Sequence, residues 1–277
     1  MTTAFVLGGG GHLGAHEVGM LRALLARGIA PDLVIGTSIG AINGAMVAAD
    51  PTPASVDRLA DLWTSIQDGD VFGASLYTQV KTFARTLTHV HANGPLRRML
   101  EEAIPARTFE ELAVPFQCVA ASIESANARY FDSGPLIEAI LASCAVPGLL
   151  PPVEVDGENY LDGGIVDSIP LGRAYDMGAR TVYVLQVGRV EEPLTKPTKP
   201  WEVALVAFEI ARRHRYASDL DAVPEGVEVH VLPTGAPSLR YNDSAQLRYR
   251  DFSKIADRIE RSYVAASAYL DEHGLGA

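Results

Sequence analysis

Between residues 1 and 49, two short apolar runs, Ala4 to Leu7 and Leu33 to Gly36, each end in a glycine turn and pass into a helical pattern. The first helix carries Val18, Leu21 and Leu25 on one face. The second opens at about Ile39 and continues to Ala49, after a break at Pro31-Asp32. This β-α-β-α order favours parallel strands, because a helix joining two neighbouring strands must lie on a face of their sheet. Further strands are expected at Pro115 to Ala121, Arg129 to Phe131, Thr181 to Val187 and Val227 to Leu232, with a hairpin over Pro152 to Leu161 folded at Asp156-Gly157. Helices are expected over Leu136 to Ser143, along the face Val203, Val206, Ala207, Ile210, Ala211 and Ala217, and along the stripe from Phe252 to Leu270. Residues 51 to 112 lack strand runs and read as a helical insertion. The expected fold is a three-layer α/β/α sandwich with a mainly parallel central sheet.

At 277 residues, 48% hydrophobic and 21% charged, the chain can build an ordinary core. Length alone would allow two domains, but one domain over 1–277 fits the element pattern better. The net charge of −11 disfavours nucleic acid as a partner, since binding phosphates needs a basic footprint. It also makes an anionic bilayer an unfavourable average surface, so peripheral membrane contact would need a local patch or apolar burial. The longest apolar stretches fall far short of the roughly 20 residues of a spanning helix. The N-terminus has no basic flank before its glycines and reads as a strand, so a cytoplasmic location is expected. Cys118 and Cys144 sit in apolar surroundings as reduced thiols. No metal-ligand pattern or organic cofactor is expected, and the sequence is silent on oligomeric state.

Chemistry concentrates in three glycine-rich turns. Gly36-Thr37-Ser38-Ile39-Gly40 matches the G-x-S-x-G nucleophile elbow at the strand-to-helix junction that motif requires. Glycines either side of Ser38 remove the Cβ atoms that would clash in so tight a turn. The turn Gly9-Gly10-Gly11-His12-Leu13-Gly14 exposes amides that could face an anion or a developing oxyanion. It also fits a dinucleotide fingerprint, but that reading wants an acid at the end of the second strand, where this chain has Ser38, with Asp32 at the other end. Asp162-Gly163-Gly164 then places a carboxylate at the end of an apolar strand. An aspartate of ordinary pKa, about 3.9, is a weak base near neutrality, so Asp162 would have to be desolvated to serve.

These residues resemble the patatin-like phospholipases over about residues 3 to 188. The resemblance rests on GGGHLG, GTSIGAINGA, ASCAVPGLLPPV and YLDGG, in that order. It implies a serine lipid acyl hydrolase with a dyad of Ser38 as nucleophile and Asp162 as base. The amides of Gly9, Gly10 and Gly11, with that of Ile39, would form the oxyanion hole, and Gly14, Gly36, Gly40, Gly163 and Gly164 would shape the turns. No cofactor is implied, and the partner is a lipid or other acyl ester, met in solution or at a membrane surface. Two positions depart from the family's pattern. Leu13 stands where it usually has Arg or Lys, and the run Asp167-Ser168-Ile169-Pro170 lacks the usual asparagine. The missing cation and the acidic surplus together favour neutral or zwitterionic lipids, or dispersed esters, over strongly anionic ones.

Other readings accompany this one. A Ser-acid-His triad would need one of seven histidines, of which His230 and His273 come late enough in the chain and His12 and His16 lie near the first glycine turn. The cluster Arg212, Arg213, His214 and Arg215 could touch head groups or form the solvated side of a helix. Val71, Phe72, Leu76 and Tyr77 could wall an acyl chain or pack helices. A non-catalytic member of the same fold would keep the motifs and bind lipid or protein.

Overall fold

The computed structural model describes residues 2–68, 86, 89, 91–187, 193–236 and 255–276. The first half of the chain gives β1 (Thr3–Leu7), α1 (Ala15–Ala26), β2 (Leu33–Thr37), α2 (Ile39–Ala49), α3 (Pro53–Asp68) and α4 (Gly94–Ala103). Then follow β3 (Phe116–Ser122), β4 (Ala128–Phe131), α5 (Leu136–Ser143), β5 (Val153–Val155) and β6 (Glu158–Asp162). The chain continues through α6 (Leu171–Asp176), β7 (Thr181–Leu185), α7 (Pro200–Asp221), β8 (Glu228–Val231) and α8 (Ile255–Glu272).

The strands form one eight-stranded mixed sheet in the order β5-β6-β3-β2-β1-β7-β8, with β4 also on β3. The centre is parallel: β1 pairs with β2 and β7, β2 with β3, and β7 with β8. The antiparallel pairs all involve β3 to β6. Period-2 alternation in β1 sends Phe5 and Leu7 into one core with α1, α2, α3 and α8, and Ala4 and Val6 into a second core with Leu171, Ala174 and Tyr216. Helices therefore cover both faces, which is why the central strands are apolar throughout rather than alternating.

Two expectations change. On α7, Val203 and Ile210 are exposed and the buried face belongs instead to Arg212 and Tyr216. The Tyr216 ring fills the second core, and Arg212 is buried with its guanidinium paired to Glu209 at 3.0 Å. The basic cluster is thus partly internal and ion-paired, not a wholly solvated face. The short helix α6 lacks the length to show a period in sequence. In the insertion, α3, α4 and a 3-10 turn at Phe109–Glu111 are seen, whereas Val71, Phe72, Leu76 and Tyr77 lie outside the described residues, as does Phe252.

Helices α1 and α8 pack backbone against backbone at Gly19. A Cβ there would run into the Ile259 carbonyl and the Ser262 hydroxyl. Gly19→Ala should destabilise the fold by roughly 2–3 kcal/mol, because overpacking forces whole helices apart. An unchanged urea midpoint would show that the pair can separate at no cost.

Candidate active site

The strand β2 ends at Thr37, and Ser38 takes φ 55° and ψ −120°, a conformation L residues rarely adopt. The turn is possible because its flanks are glycines. A Cβ on Gly36 would strike the Gly40 carbonyl, and one on Gly40 would strike the Leu7 carbonyl, so β1 passes directly under the first turn of α2. The strained unit is nonetheless fully bonded. The Ser38 amide donates to the Ser143 hydroxyl at 2.9 Å, and its carbonyl accepts from the Ala41 amide at 2.9 Å and the Cys144 thiol at 3.2 Å. Ser143 and Cys144 belong to the ASCAVPG stretch, where Ser143 is expected only as the end of a helix and Cys144 only as a buried thiol.

Strand geometry explains how Asp162 reaches Ser38. Along β3, residues 116–119 pair with β2, residues 118–121 with β4, and residues 120–122 with β6. Since β4 overlaps both other ladders, β2 and β6 must share the opposite edge. They run in opposite directions along it, β2 ending at Thr37 opposite Val119 and β6 ending at Asp162 opposite Ala120. The two strands meet end to end on adjacent rungs, and the Ser38 hydroxyl donates to Asp162 Oδ2 at 2.5 Å. Gly164 donates its amide to Oδ1 at 2.7 Å, and the Asp162 amide donates to the Ala145 carbonyl at 2.9 Å. Gly163 has no room for a side chain, because a Cβ would meet the Val119 carbonyl.

Asp162 is buried, and burial pushes its carboxyl up to about 6 against the opposing pull of the Ser38 hydroxyl and the Gly164 amide. A second buried carboxylate follows it. Asp167 is also raised to about 6 by burial, while the Tyr130 hydroxyl donates to it at 2.6 Å and Arg215 stands 3.7 Å away. Its backbone carbonyl accepts from the Thr37 hydroxyl at 2.9 Å, bracing the residue before the elbow. In sequence Asp167 stands out only as part of the run that lacks the usual asparagine, with no role attached, and Tyr130 only as part of an expected strand.

The first glycine turn lies against Ser38. A Cβ on Gly9 would sit 3.5 Å from that of Ser38. The amide of Gly9, however, donates to the Ser168 carbonyl at 2.9 Å, so Gly9 departs from its expected part as an oxyanion donor and acts as a spacer. Gly10, whose Cβ would overlap the Val187 side chain, and Gly11, with φ 56°, keep the backbone close and left-turned. Gly14 lets α1 start in contact with Ile39 and Trp63. Among the described residues no group of three His, Cys, Asp or Glu side chains has metal-site geometry.

Three of the seven histidines have contacts away from Ser38 and Asp162. His230 stacks on Tyr183 with its Nδ1 3.4 Å from the Tyr269 hydroxyl, and His273 stacks on Tyr269. His16 is buried and lowered to about 4, by burial first and then by Arg258 and Arg261.

With this geometry in hand, residues 5–175 match the family model described as patatin-like phospholipase, more than half of the chain. The chain belongs to the patatin-like phospholipases. A patatin-like phospholipase domain-containing protein, ZK370.4 from Caenorhabditis elegans, is 33% identical over 189 residues, 68% of this chain and 14% of its own length. Lysophospholipase NTE1 from Mycosarcoma maydis is 29% identical over 293 residues, covering 98% of this chain and 15% of its own. Human patatin-like phospholipase domain-containing protein 6 is 31% identical over 193 residues, 69% of this chain and 14% of its own. The patatin-like unit seen here thus spans about one-seventh of these relatives. The crystal structure of VipD from Legionella pneumophila aligns over 98% of this chain and 67% of its own, at a TM-score of 0.49 and 13% identity.

Two outcomes follow from the patatin-like elbow. Ser143→Ala orphans the buried Ser38 amide and should cost about 1–3 kcal/mol in urea denaturation. Asp162→Asn should instead stabilise the protein at neutral pH. The native carboxyl titrates near 6, above its unfolded value, so wild type loses stability as pH rises through that window, by at most roughly 3 kcal/mol. The advantage of the asparagine variant in melting temperature should be present at pH 7.5 and gone at pH 4.

Proposed function

We propose that the protein is a serine acyl hydrolase that releases fatty acids from lipid esters through Ser38 and Asp162. One observation carries the reading: the Ser38 hydroxyl, on a strained elbow, donates directly to a desolvated carboxylate at 2.5 Å, with no imidazole between them. Family membership supports lipid esters as the substrate class. Ser38 Oγ attacks the ester carbonyl as Asp162 Oδ2 takes its proton. The amides of Gly10 and Gly11, where a 3-10 turn (Gly11–Gly14) leads into α1, and of Ile39, the first residue of α2, hold the oxyanion. Asp162 returns the proton to the leaving alcohol, takes another from the water that attacks the acyl-enzyme, and passes it to Ser38 Oγ as the fatty acid leaves, which restores both residues. Neither a metal nor an organic cofactor enters these steps.

Leu13 and the net charge of −11 favour neutral or zwitterionic substrates. A cytoplasmic protein that meets its lipid at a membrane surface fits this reading. Among the described residues no helix is long and apolar enough to cross a membrane.

Ser38→Ala and Asp162→Asn should each lower ester hydrolysis by about three orders of magnitude or more, and Ser38→Ala should also abolish covalent labelling by a fluorophosphonate. Alanine at each of the seven histidines should leave most activity intact; one folded histidine variant as inactive as Ser38→Ala would overturn the dyad. In the wild type kcat/KM should rise with pH to a plateau, half-maximal near 6, as Asp162 ionises. Asp167→Asn should keep that rise, which separates the two buried carboxylates. A panel of esters with neutral, zwitterionic and anionic head groups then reads the substrate preference.

A further inference from the structure

Directly beneath the glycine turn lies a carboxyl group that the hydrolytic cycle does not use. Glu17, in the first turn of α1, is fully buried, as are Val18 and Leu21 on the same helix. Its Oε2 accepts from the Asn43 amide at 2.7 Å. The same Asn43 nitrogen donates to the Gly14 carbonyl at 3.1 Å, and the Asn43 oxygen accepts from the Trp63 indole at 3.1 Å. Asn43 sits one turn into α2, the helix that Ser38 begins, and Gly14 ends the turn that Gly9 to Gly11 open. The clasp therefore joins the two turns that would supply the oxyanion amides, with α3 holding it from behind.

Burial pushes the Glu17 carboxyl well above the usual carboxylate range, against the nearby amides of Asn43 and Gly8, which favour the anion. Its other oxygen has no hydrogen-bond partner among the described residues, so a charge here would be half unpaired, whereas the neutral acid leaves one hydroxyl unmatched. An apolar residue would pack this helix face without that penalty. What a leucine could not do is fix Asn43, whose amide would otherwise keep only the Gly14 carbonyl on that side and could rotate.

We propose that Glu17, acting through Asn43, is a positioning residue that sets the Gly10 and Gly11 amides relative to Ser38. The proposal rests on the hydrolase reading above, and its effect should fall on the transition state, not on ester binding. Glu17→Leu should lower kcat about 10- to 100-fold with KM within about twofold, and should weaken a substrate-like trifluoromethyl ketone by the same factor as kcat/KM. Glu17→Gln, which keeps a neutral acceptor for Asn43, should stay within about threefold of wild type. Folding is followed by melting temperature in every case.

A folded Glu17→Leu with wild-type kcat overturns the proposal, as does a loss shared equally by Glu17→Gln or one confined to KM. Should Glu17→Leu not fold, Trp63→Phe removes only the indole donor behind Asn43. It should show the same kcat-selective loss more weakly, and unchanged kcat in that variant overturns the proposal too. If wild type itself neither reacts with a fluorophosphonate nor hydrolyses esters, the hydrolase reading falls and this one with it. If wild type does both and the variants match it, only the role of Glu17 falls.

Discussion

The site depends on two strands meeting end to end. Strands β2 and β6 share one edge of β3 from opposite directions, and their last residues occupy adjacent rungs. A purely parallel sheet could not do this, because every strand would present its carboxyl end at the same level and side by side. The switch to antiparallel pairing at β6 lets a residue remote in sequence arrive facing Ser38, with the carboxylate inside hydrogen-bond range. That explains why the sheet is mixed and why the antiparallel pairs cluster on one side of β2. The glycines are secondary to this constraint: Gly36, Gly40 and Gly163 allow backbones to close around a junction that the ladder has already defined.

Two features of the junction oppose stability, and in the proposed cycle both serve reactivity. A positive φ at a non-glycine residue costs on the order of 1–3 kcal/mol, and a desolvated carboxylate costs more as pH rises. Local bonding offsets the first: Ser143 and Cys144, at the end of α5, take the serine's amide and carbonyl. The second is left in place. The Gly164 amide and Ser38 hydroxyl oppose the upward shift without cancelling it, and the carboxyl settles near 6. A proton acceptor at that value is mostly ionised at neutral pH yet far more basic than an exposed aspartate, which is the compromise general base catalysis favours.

Much of this was legible in the sequence because glycine and strand patterns are local. Both glycine turns, the elbow at Ser38 and the carboxylate at Asp162 could be read from short stretches, as could most central strands. What escaped is long-range. Ser143 and Cys144 lie 105 and 106 residues from their partner Ser38, Glu17 is 26 from Asn43, and Tyr130 is 37 from Asp167. Nothing in a window of sequence encodes such pairings. The face of α7 differs for a packing reason: Tyr216 turns inward to supply the second core with a large ring, and Arg212, one turn before it, is buried on the same side and paired with Glu209 within the helix. Likewise the Gly9 amide, free on paper, is taken by Ser168 once β1 and the turn before α6 are side by side.

In the proposed cycle, direct contact between Ser38 and Asp162 limits how the base can move. One carboxylate oxygen must accept the serine proton, release it to the leaving alcohol and then deprotonate water. Asp162 Oδ1 is tied to the Gly164 amide at 2.7 Å, and the residue's own amide is tied to Ala145. The carboxyl group therefore cannot rotate freely to present either oxygen, and Oδ2 alone faces the reacting centre. A histidine base has two ring nitrogens and can take a proton at one while being oriented through the other. Here the orienting contact and the reacting atom are the two oxygens of a single group. The Asp-Gly-Gly turn is thus more than a space-saving device: its second glycine amide aims the base, and its first glycine lets that amide come close enough to do so.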